Sequence, residues 1–312
     1  MSKTLKLNNG RDMPVIGLGT YKGGKETAQA VKDAIDAGYR HFDCAWFYGN
    51  EADVGEGIRE KIKEGVIKRE DVFITSKLWC NFMAKDKVVP MCKKSLKEFQ
   101  LDYLDLFLIH WPFAFKEDAS YWPVGQCPEA FSDVDFTETW EGMEECVRQG
   151  LTKSIGISNF NSQQISRLLE SAKIKPVCNQ VECNPNVNQK KLIKFCAEKN
   201  IVIVGYCPLG RVENAGIPGY PYPTILDKHV LAIGQKYNKT PAQVVLNYLV
   251  SLGIAVIPKS ITKSRIIENI NIFDFKLDEE DVAYLDSLNK NDRICHFPEF
   301  QDHKNYPFNI EF

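Results

Sequence analysis

The sequence predicts a closed (β/α)8 barrel with an N-terminal β-hairpin cap, long loops over one face and a C-terminal tail. Three observations carry this expectation. Short apolar segments alternate with amphipathic ones from one end of the chain to the other. The apolar segments read as continuous runs, as strands buried on both faces of a parallel sheet do. The alternation completes eight units, which is the count of a TIM barrel.

In order, the units are GLGT with TAQAVKDAIDAG, HFDCA with NEADVGEGIREKIKEG, VFITSK with KDKVVPMCKKSLKEF, and LDLFLIH with TETWEGMEECVRQG. They continue as SIGISN with SQQISRLLESA, VCNQVECN with NQKKLIKFCAEKN, IVIVGYCPLG with PAQVVLNYLVSLG, and AVIPKS with TKSRIIENINIF. Ahead of them, TLKLNNGRDMPVI reads as a hairpin around Asn8-Asn9-Gly10, expected to cover the barrel's bottom. After them, LDEEDVAYLDSLNK reads as an extra helix, and the tail carries His296, Phe297, Phe300 and Tyr306, expected to pack on the body. Residues 1–312 are expected to form one barrel domain, with 1–16 as the hairpin cap and 290–312 as the tail. The segments from Trp111 to about Phe136 and from Arg211 to about Asp227 are too long for plain connections, and both follow strand C-termini. They therefore rise over the face where barrels keep their active sites. An open doubly wound sheet usually announces itself with GxGxxG, and the first turn here, Gly17-Leu18-Gly19-Thr20-Tyr21-Lys22, lacks the third glycine.

Composition narrows the function classes. The chain is 44% hydrophobic and 26% charged, with a formal net charge of -2, so it carries no global electrostatic reason to bind nucleic acid or an anionic membrane. The opening MSKTLKLNNG lacks the apolar core of a signal peptide, and no apolar run is long enough to span a bilayer. A cytoplasmic monomer is expected. Ten cysteines are scattered without CxxC and read as reduced thiols, and the five histidines form no metal-ligand pattern. Asn238-Lys239-Thr240 matches a glycosylation sequon, but Thr240-Pro241-Ala242-Gln243 reads better as a capping box.

Polar residues end three consecutive strands: Asp43, Lys77 and His110 stand one βα unit apart, and Tyr48 follows the second strand. A free phenol has a pKa near 10, so only about one in a thousand is ionised at pH 7. A lysine ammonium beside it favours the phenolate, and a carboxylate holds the ammonium charged and oriented. Asp43 is thus expected to act on Lys77, and Lys77 to lower the pKa of Tyr48. The imidazole of His110 would hydrogen-bond a substrate oxygen, as electrophilic catalysis of carbonyl chemistry requires. Any one of these residues alone is ordinarily a salt bridge or a packed side chain; four complementary groups on one rim are not, because buried charges need compensation. Tyr21, Trp46, Phe47, Trp79, Trp111, Phe113, Tyr121 and Trp122 fall near the same rim and would line a largely apolar substrate pocket. In IPKSITKSRIIEN, Thr262 is expected to cap a helix whose first turn carries Arg265, with Lys259 just before it. That combination makes a local phosphate site.

The stretches GYRHFDCAWFYGNEADVG, FITSKLW, LDYLDLFLIHWP, GLTKSIGISNFN, NQVECNP and IPKSITKSRIIEN resemble the aldo-keto reductase superfamily over essentially the whole chain. The resemblance implies a small-molecule carbonyl substrate, NADPH as cofactor, and Asp43, Tyr48, Lys77 and His110 as the catalytic tetrad with Tyr48 as general acid. It also implies that Gly19, Thr20, Ser158, Asn159, Gln180, Tyr206, Cys207, Leu209, Lys259, Ser260, Thr262, Arg265, Glu268 and Asn269 hold the cofactor. Within that set, Ser158, Asn159 and Gln180 take the carboxamide, Tyr206 stacks on the nicotinamide, and Glu268 and Asn269 contact the adenine. Relatives that reduce steroid carbon-carbon double bonds carry glutamate at the position of His110, so carbonyl reduction is the expected chemistry. Cys207 and Arg211 depart from the family pattern, standing where many relatives have serines. The alternative reading is a non-catalytic relative that keeps the barrel and its NADPH; a metal-dependent barrel hydrolase would need strand-end ligands the sequence does not supply.

Overall fold

The computed structural model describes residues 3–312. It opens with antiparallel strands β1 (Thr4–Lys6) and β2 (Asp12–Pro14), joined through Asn8-Asn9-Gly10. Gly10 takes φ +84°, a left-handed conformation that glycine adopts without a Cβ clash. Asn8 Nδ2 donates to Pro176 O and Asn200 O, and Asn9 Nδ2 to Ser154 Oγ. All three partners precede barrel strands, so the hairpin closes the end opposite the strand C-termini.

Eight parallel strands follow: β3 (Leu18–Gly19), β4 (His41–Asp43), β5 (Phe73–Leu78), β6 (Leu106–Ile109), β7 (Ile155–Ser158), β8 (Cys178–Glu182), β9 (Val202–Tyr206) and β10 (Ala255–Val256). Each pairs with its neighbour in sequence. The first and last strands meet through parallel bridges, Ile16 with Val256 and Gly19 with Lys259, which close the barrel. The seam demands glycine: a Cβ on Gly19 would stand 2.7 Å from Ile257 O.

Helices α1 (Thr27–Asp36), α2 (Glu51–Lys63), α3 (Lys85–Phe99), α4 (Phe136–Arg148), α5 (Ser162–Ser171) and α6 (Lys190–Ala197) follow the six strands β3 to β8, one after each. The chain continues through α7 (Lys228–Tyr237), α8 (Pro241–Ser251), α9 (Lys263–Ile270) and α10 (Glu279–Ser287). Helix α7 was not expected from the sequence. Asp227 caps it, accepting from His229 N and Val230 N, and it buries Val230, Ile233 and Gly234. The expected capping box at α8 is present: Gln243 N donates to Thr240 Oγ1 and Thr240 N to Gln243 Oε1.

Two apolar shells follow from strands buried on both faces. The inner one fills the barrel with Phe73, Leu106, Leu108, Val204 and Ile257, and the hairpin's Leu7 and Met13 belong to it. The outer one lies between sheet and helices. The tail packs on the body through Phe300, which is fully buried against Phe113, Phe115 and Trp122. All ten cysteines are free thiols, and no helix among the described residues is long and apolar enough to cross a membrane.

Candidate active site

Strand C-termini bring the four predicted polar residues together. Asp43 ends β4, Lys77 is the penultimate residue of β5, and His110 immediately follows β6. Tyr48 lies in the short 3-10 turn after β4, and Gly49, in the left-handed region at φ +67°, ends that turn. The fully buried Lys77 ammonium spends its three donors on Asp43 Oδ1 at 2.6 Å, Cys44 O at 2.8 Å and Tyr48 Oη at 3.2 Å. The second carboxylate oxygen, Asp43 Oδ2, accepts from Gln180 Nε2 at 2.7 Å. Because Tyr48 accepts from Lys77, its own hydroxyl proton remains available to a third partner.

The electrostatics differ from expectation at one point. Burial, aided by the nearby Asp43 and Cys44, raises the Tyr48 phenol well above its ordinary value, whereas the sequence reading had Lys77 lowering it. Enclosure of the hydroxyl disfavours the phenolate more than the ammonium favours it, so the phenol is protonated at neutral pH. Burial and the Lys77 charge push His110 well below the usual imidazole range, so its ring is neutral there, and Nδ1 has no protein partner. A neutral ring next to a protonated phenol gives two hydrogen-bond donors that can face one oxygen atom.

One cavity of about 880 Å³ contains the tetrad's Asp43, Tyr48 and His110 together with every cofactor residue implied by the resemblance. Ser158 Oγ donates to Gln180 O, and Asn159 Nδ2 donates to His110 O while its Oδ1 accepts from Tyr206 Oη at 2.8 Å. Gln180 lies inside β8, two residues before its end. These groups are wired directly to the tetrad. At the far end, Lys259 and Arg265 are exposed and make no ion pair among the described residues. Thr262 occupies the N-cap position of α9, but its side chain makes no capping bond, contrary to the sequence reading. Instead Ser260 Oγ accepts from Thr262 N, and the first backbone N–H groups of α9 have no side-chain cap among the described residues. Open N–H groups and two unpaired cations fit a phosphate group. Glu268 accepts from Thr240 Oγ1 at 2.7 Å, and Asn269 is buried beside it.

The substrate side is aromatic. Phe47 stacks on Trp79 at 3.8 Å, Tyr21 lies 4.9 Å from the Tyr48 ring, and Trp111 and Trp122 complete the wall. Phe113 is not part of it: the side chain is 1% exposed and packs beneath Trp111 against Phe115 and Phe300. A residue two positions past a wall residue belongs to the packing layer here. Trp46 and Tyr121 also stay outside the cavity lining, packed against Phe82. Two tail residues that the sequence did not assign to the pocket, Cys295 and Phe297, do line it. They are held there by the buried Glu182 at the end of β8, whose carboxylate accepts from Ile294 N at 2.9 Å and Cys295 N at 2.8 Å. Lys22 and Glu213 line the cavity as well.

An α/β barrel whose rim joins a buried Asp-Lys pair to a half-buried tyrosine and a neutral histidine, with an uncapped helix end and two exposed cations in the same cavity, fits a nucleotide-dependent oxidoreductase of the carbonyl-reducing kind. The family model of the Aldo/keto reductase family matches residues 15–290, and the chain belongs to that family. It is 45% identical to estradiol 17 beta-dehydrogenase 5 of Mus musculus, over 99% of this chain and 98% of that one. It is also 45% identical to prostaglandin F synthase 1 of Bos taurus, over 100% and 99%. Among solved structures, an aldo-keto reductase of Bombyx mori in complex with NADP matches with a TM-score of 0.90 and 41% identity over 98% of this chain and 99% of that one. The aldose reductase of Schistosoma japonicum matches with a TM-score of 0.91 and 39% identity over 99% and 100%.

Proposed function

We propose that this chain is an NADPH-dependent carbonyl reductase that converts an apolar, aromatic or steroid-like aldehyde or ketone to the alcohol, as a cytoplasmic monomer formed from a single barrel domain. The observation that carries the reading is the saturated Lys77 ammonium, which fixes the Tyr48 oxygen as an acceptor and leaves its proton to be donated. When bound, the nicotinamide supplies the hydride. The protein's residues do the rest. Tyr48 and the neutral His110 ring hydrogen-bond the carbonyl oxygen, polarise it, and Tyr48 gives it a proton as charge develops there. Asp43 holds the Lys77 charge in place, and Ser158, Asn159 and Gln180 orient the carboxamide. Lys259, Thr262 and Arg265 hold the 2′-phosphate at the open end of α9.

The aromatic wall supports an apolar substrate, and the relatives named for estradiol and prostaglandins support the same class. The test is loss of NADPH absorbance with a panel of aldehydes, keto-steroids, keto-prostaglandins and quinones, with Tyr48→Phe as the blank. The reading expects turnover that falls about a thousandfold in the blank while NADPH still quenches protein fluorescence. Tight NADPH binding without turnover by the unaltered protein would favour the non-catalytic alternative instead.

A further inference from the structure

One buried carboxyl close to the tetrad has no part in the chemistry described above. Glu51 opens α2, three residues after Tyr48, and its side chain is buried although it makes no ion pair among the described residues. Its Oε1 accepts from Ser76 Oγ at 2.5 Å, and Lys94, Ser95 and Glu98 of α3 are further polar neighbours. A glutamate in the first turn of a helix is favourable in solvent. Burying it among hydroxyls without a paired cation is costly, so the enclosure needs a reason of its own.

The place of the Ser76 hydrogen bond supplies one. Side chains alternate along β5: Ile74 and Leu78 enter the apolar layer under the helices, whereas Phe73 faces the barrel interior. Ser76 therefore points outward and its neighbour Lys77 inward. Two hydrogen bonds thus join the same two stretches of chain, one on each face of β5: Lys77 Nζ to Tyr48 Oη at 3.2 Å inside, and Ser76 Oγ to Glu51 Oε1 at 2.5 Å outside. Between Tyr48 and Glu51 lie only Gly49, in the left-handed region, and the buried Asn50, whose Nδ2 donates to Thr20 O at 2.8 Å. Thr20 N in turn donates to Asp43 O. The turn that carries the phenol is held on one side to β5 and on the other to the segment after β3. A displacement of about 1 Å at such a turn takes the hydroxyl out of line with a substrate oxygen and can slow a reaction about a hundredfold.

We propose that Glu51 is a positioning residue for proton donation: bonded to Ser76, it locks the turn that bears Tyr48 to the strand that bears Lys77. The inference rests on the reading of Tyr48 as the acid.

The test is the hydride-transfer rate at saturating NADPH, with NADPH affinity followed by fluorescence quenching, in Glu51→Ala, Ser76→Ala and Glu51→Gln, each also combined with Tyr48→Phe. Glu51→Ala should slow the reaction about a hundredfold and Ser76→Ala about tenfold, with NADPH affinity unchanged. Glu51→Gln, whose amide oxygen still accepts from Ser76, should stay within about twofold of the unaltered rate. In the Tyr48→Phe background none of the three should slow the reaction further, because no phenol remains to be positioned. An unchanged rate in Ser76→Ala would overturn the proposal, and that variant, which removes a single hydroxyl, carries the test even if Glu51→Ala does not fold. Losses that persist in the Tyr48→Phe background, or a fall in NADPH affinity as large as the fall in rate, would also overturn it and leave Glu51 a support of the fold alone. A Glu51→Gln rate as low as that of Glu51→Ala would do the same, since the bond to Ser76 would not be what matters. Normal turnover by Tyr48→Phe by itself would be a failure of the acid assignment, and is thereby told apart.

Discussion

The two ends of the cleft are built in opposite ways. At the catalytic end the charges are buried, neighbouring and mutually satisfied: Lys77 is fully enclosed, and both oxygens of Asp43 are occupied. At the phosphate end Lys259 and Arg265 are exposed, and the helix end offers N–H groups that no side chain caps. Chemistry needs groups whose orientation and protonation are settled before the substrate arrives, and that requires strand ends in a low-dielectric setting. Binding a hydrated, multiply charged anion needs donors left open, since each would otherwise have to be released from an internal partner first. The first end is rigid by satisfaction; the second is receptive by its lack of it.

The contrast can be broken most severely at Lys77. Lys77→Met leaves the Asp43 carboxylate buried with only Gln180 as its side-chain partner, and should destabilise the fold by about 3–5 kcal/mol. Turnover should fall with it, by about a hundredfold or more. Urea denaturation and turnover of the folded protein measure the two effects, and an unfolding midpoint equal to that of the unaltered chain would show that the pair is not the anchor described. At the other end, Arg265→Ala should leave stability alone, because no internal partner is lost. It should weaken NADPH binding by about tenfold to a hundredfold and NADH binding hardly at all. Equal losses for the two cofactors would remove the 2′-phosphate assignment.

The smallest expected effect is a flat pH profile. The His110 value lies below the ordinary 6.5, so the ring is neutral above that pH; the Tyr48 value lies above the ordinary 10.0, so the phenol is protonated below it. The kcat/KM for reduction should therefore hold level between those limits. A limb rising or falling within that interval would place one of the two groups in a different protonation state from the one argued here.

Much of this was legible in the chain itself. Alternation of apolar runs and amphipathic helices specifies the barrel, and spacing by whole βα units places Asp43, Lys77 and His110 side by side at strand ends. What escaped has physical causes. Helix α7 follows no strand of its own, so it falls outside the alternation, although Asp227 and the spacing of Val230, Ile233 and Tyr237 were available as signals. Phe113 was placed in the pocket because a loop aromatic near a strand end carries no mark of which way it faces; the tail residue Phe300, far away in sequence, decides that. The same holds for Cys295 and Phe297, whose seat depends on Glu182 across 112 positions of sequence. The phenol's protonation also depended on enclosure by distant segments, which residue type alone does not disclose.

The central claim is that Lys77 acts through Tyr48, and a double-mutant cycle on the hydride-transfer rate tests it most directly. The rate would be measured with NADPH and one carbonyl substrate in Tyr48→Phe, Lys77→Met and the double variant, at a temperature where all three still bind NADPH. The account predicts that the double variant is no slower than Tyr48→Phe, because the phenol that the ammonium serves is already gone. Losses that multiply would contradict it and show Lys77 working on the reaction independently of Tyr48.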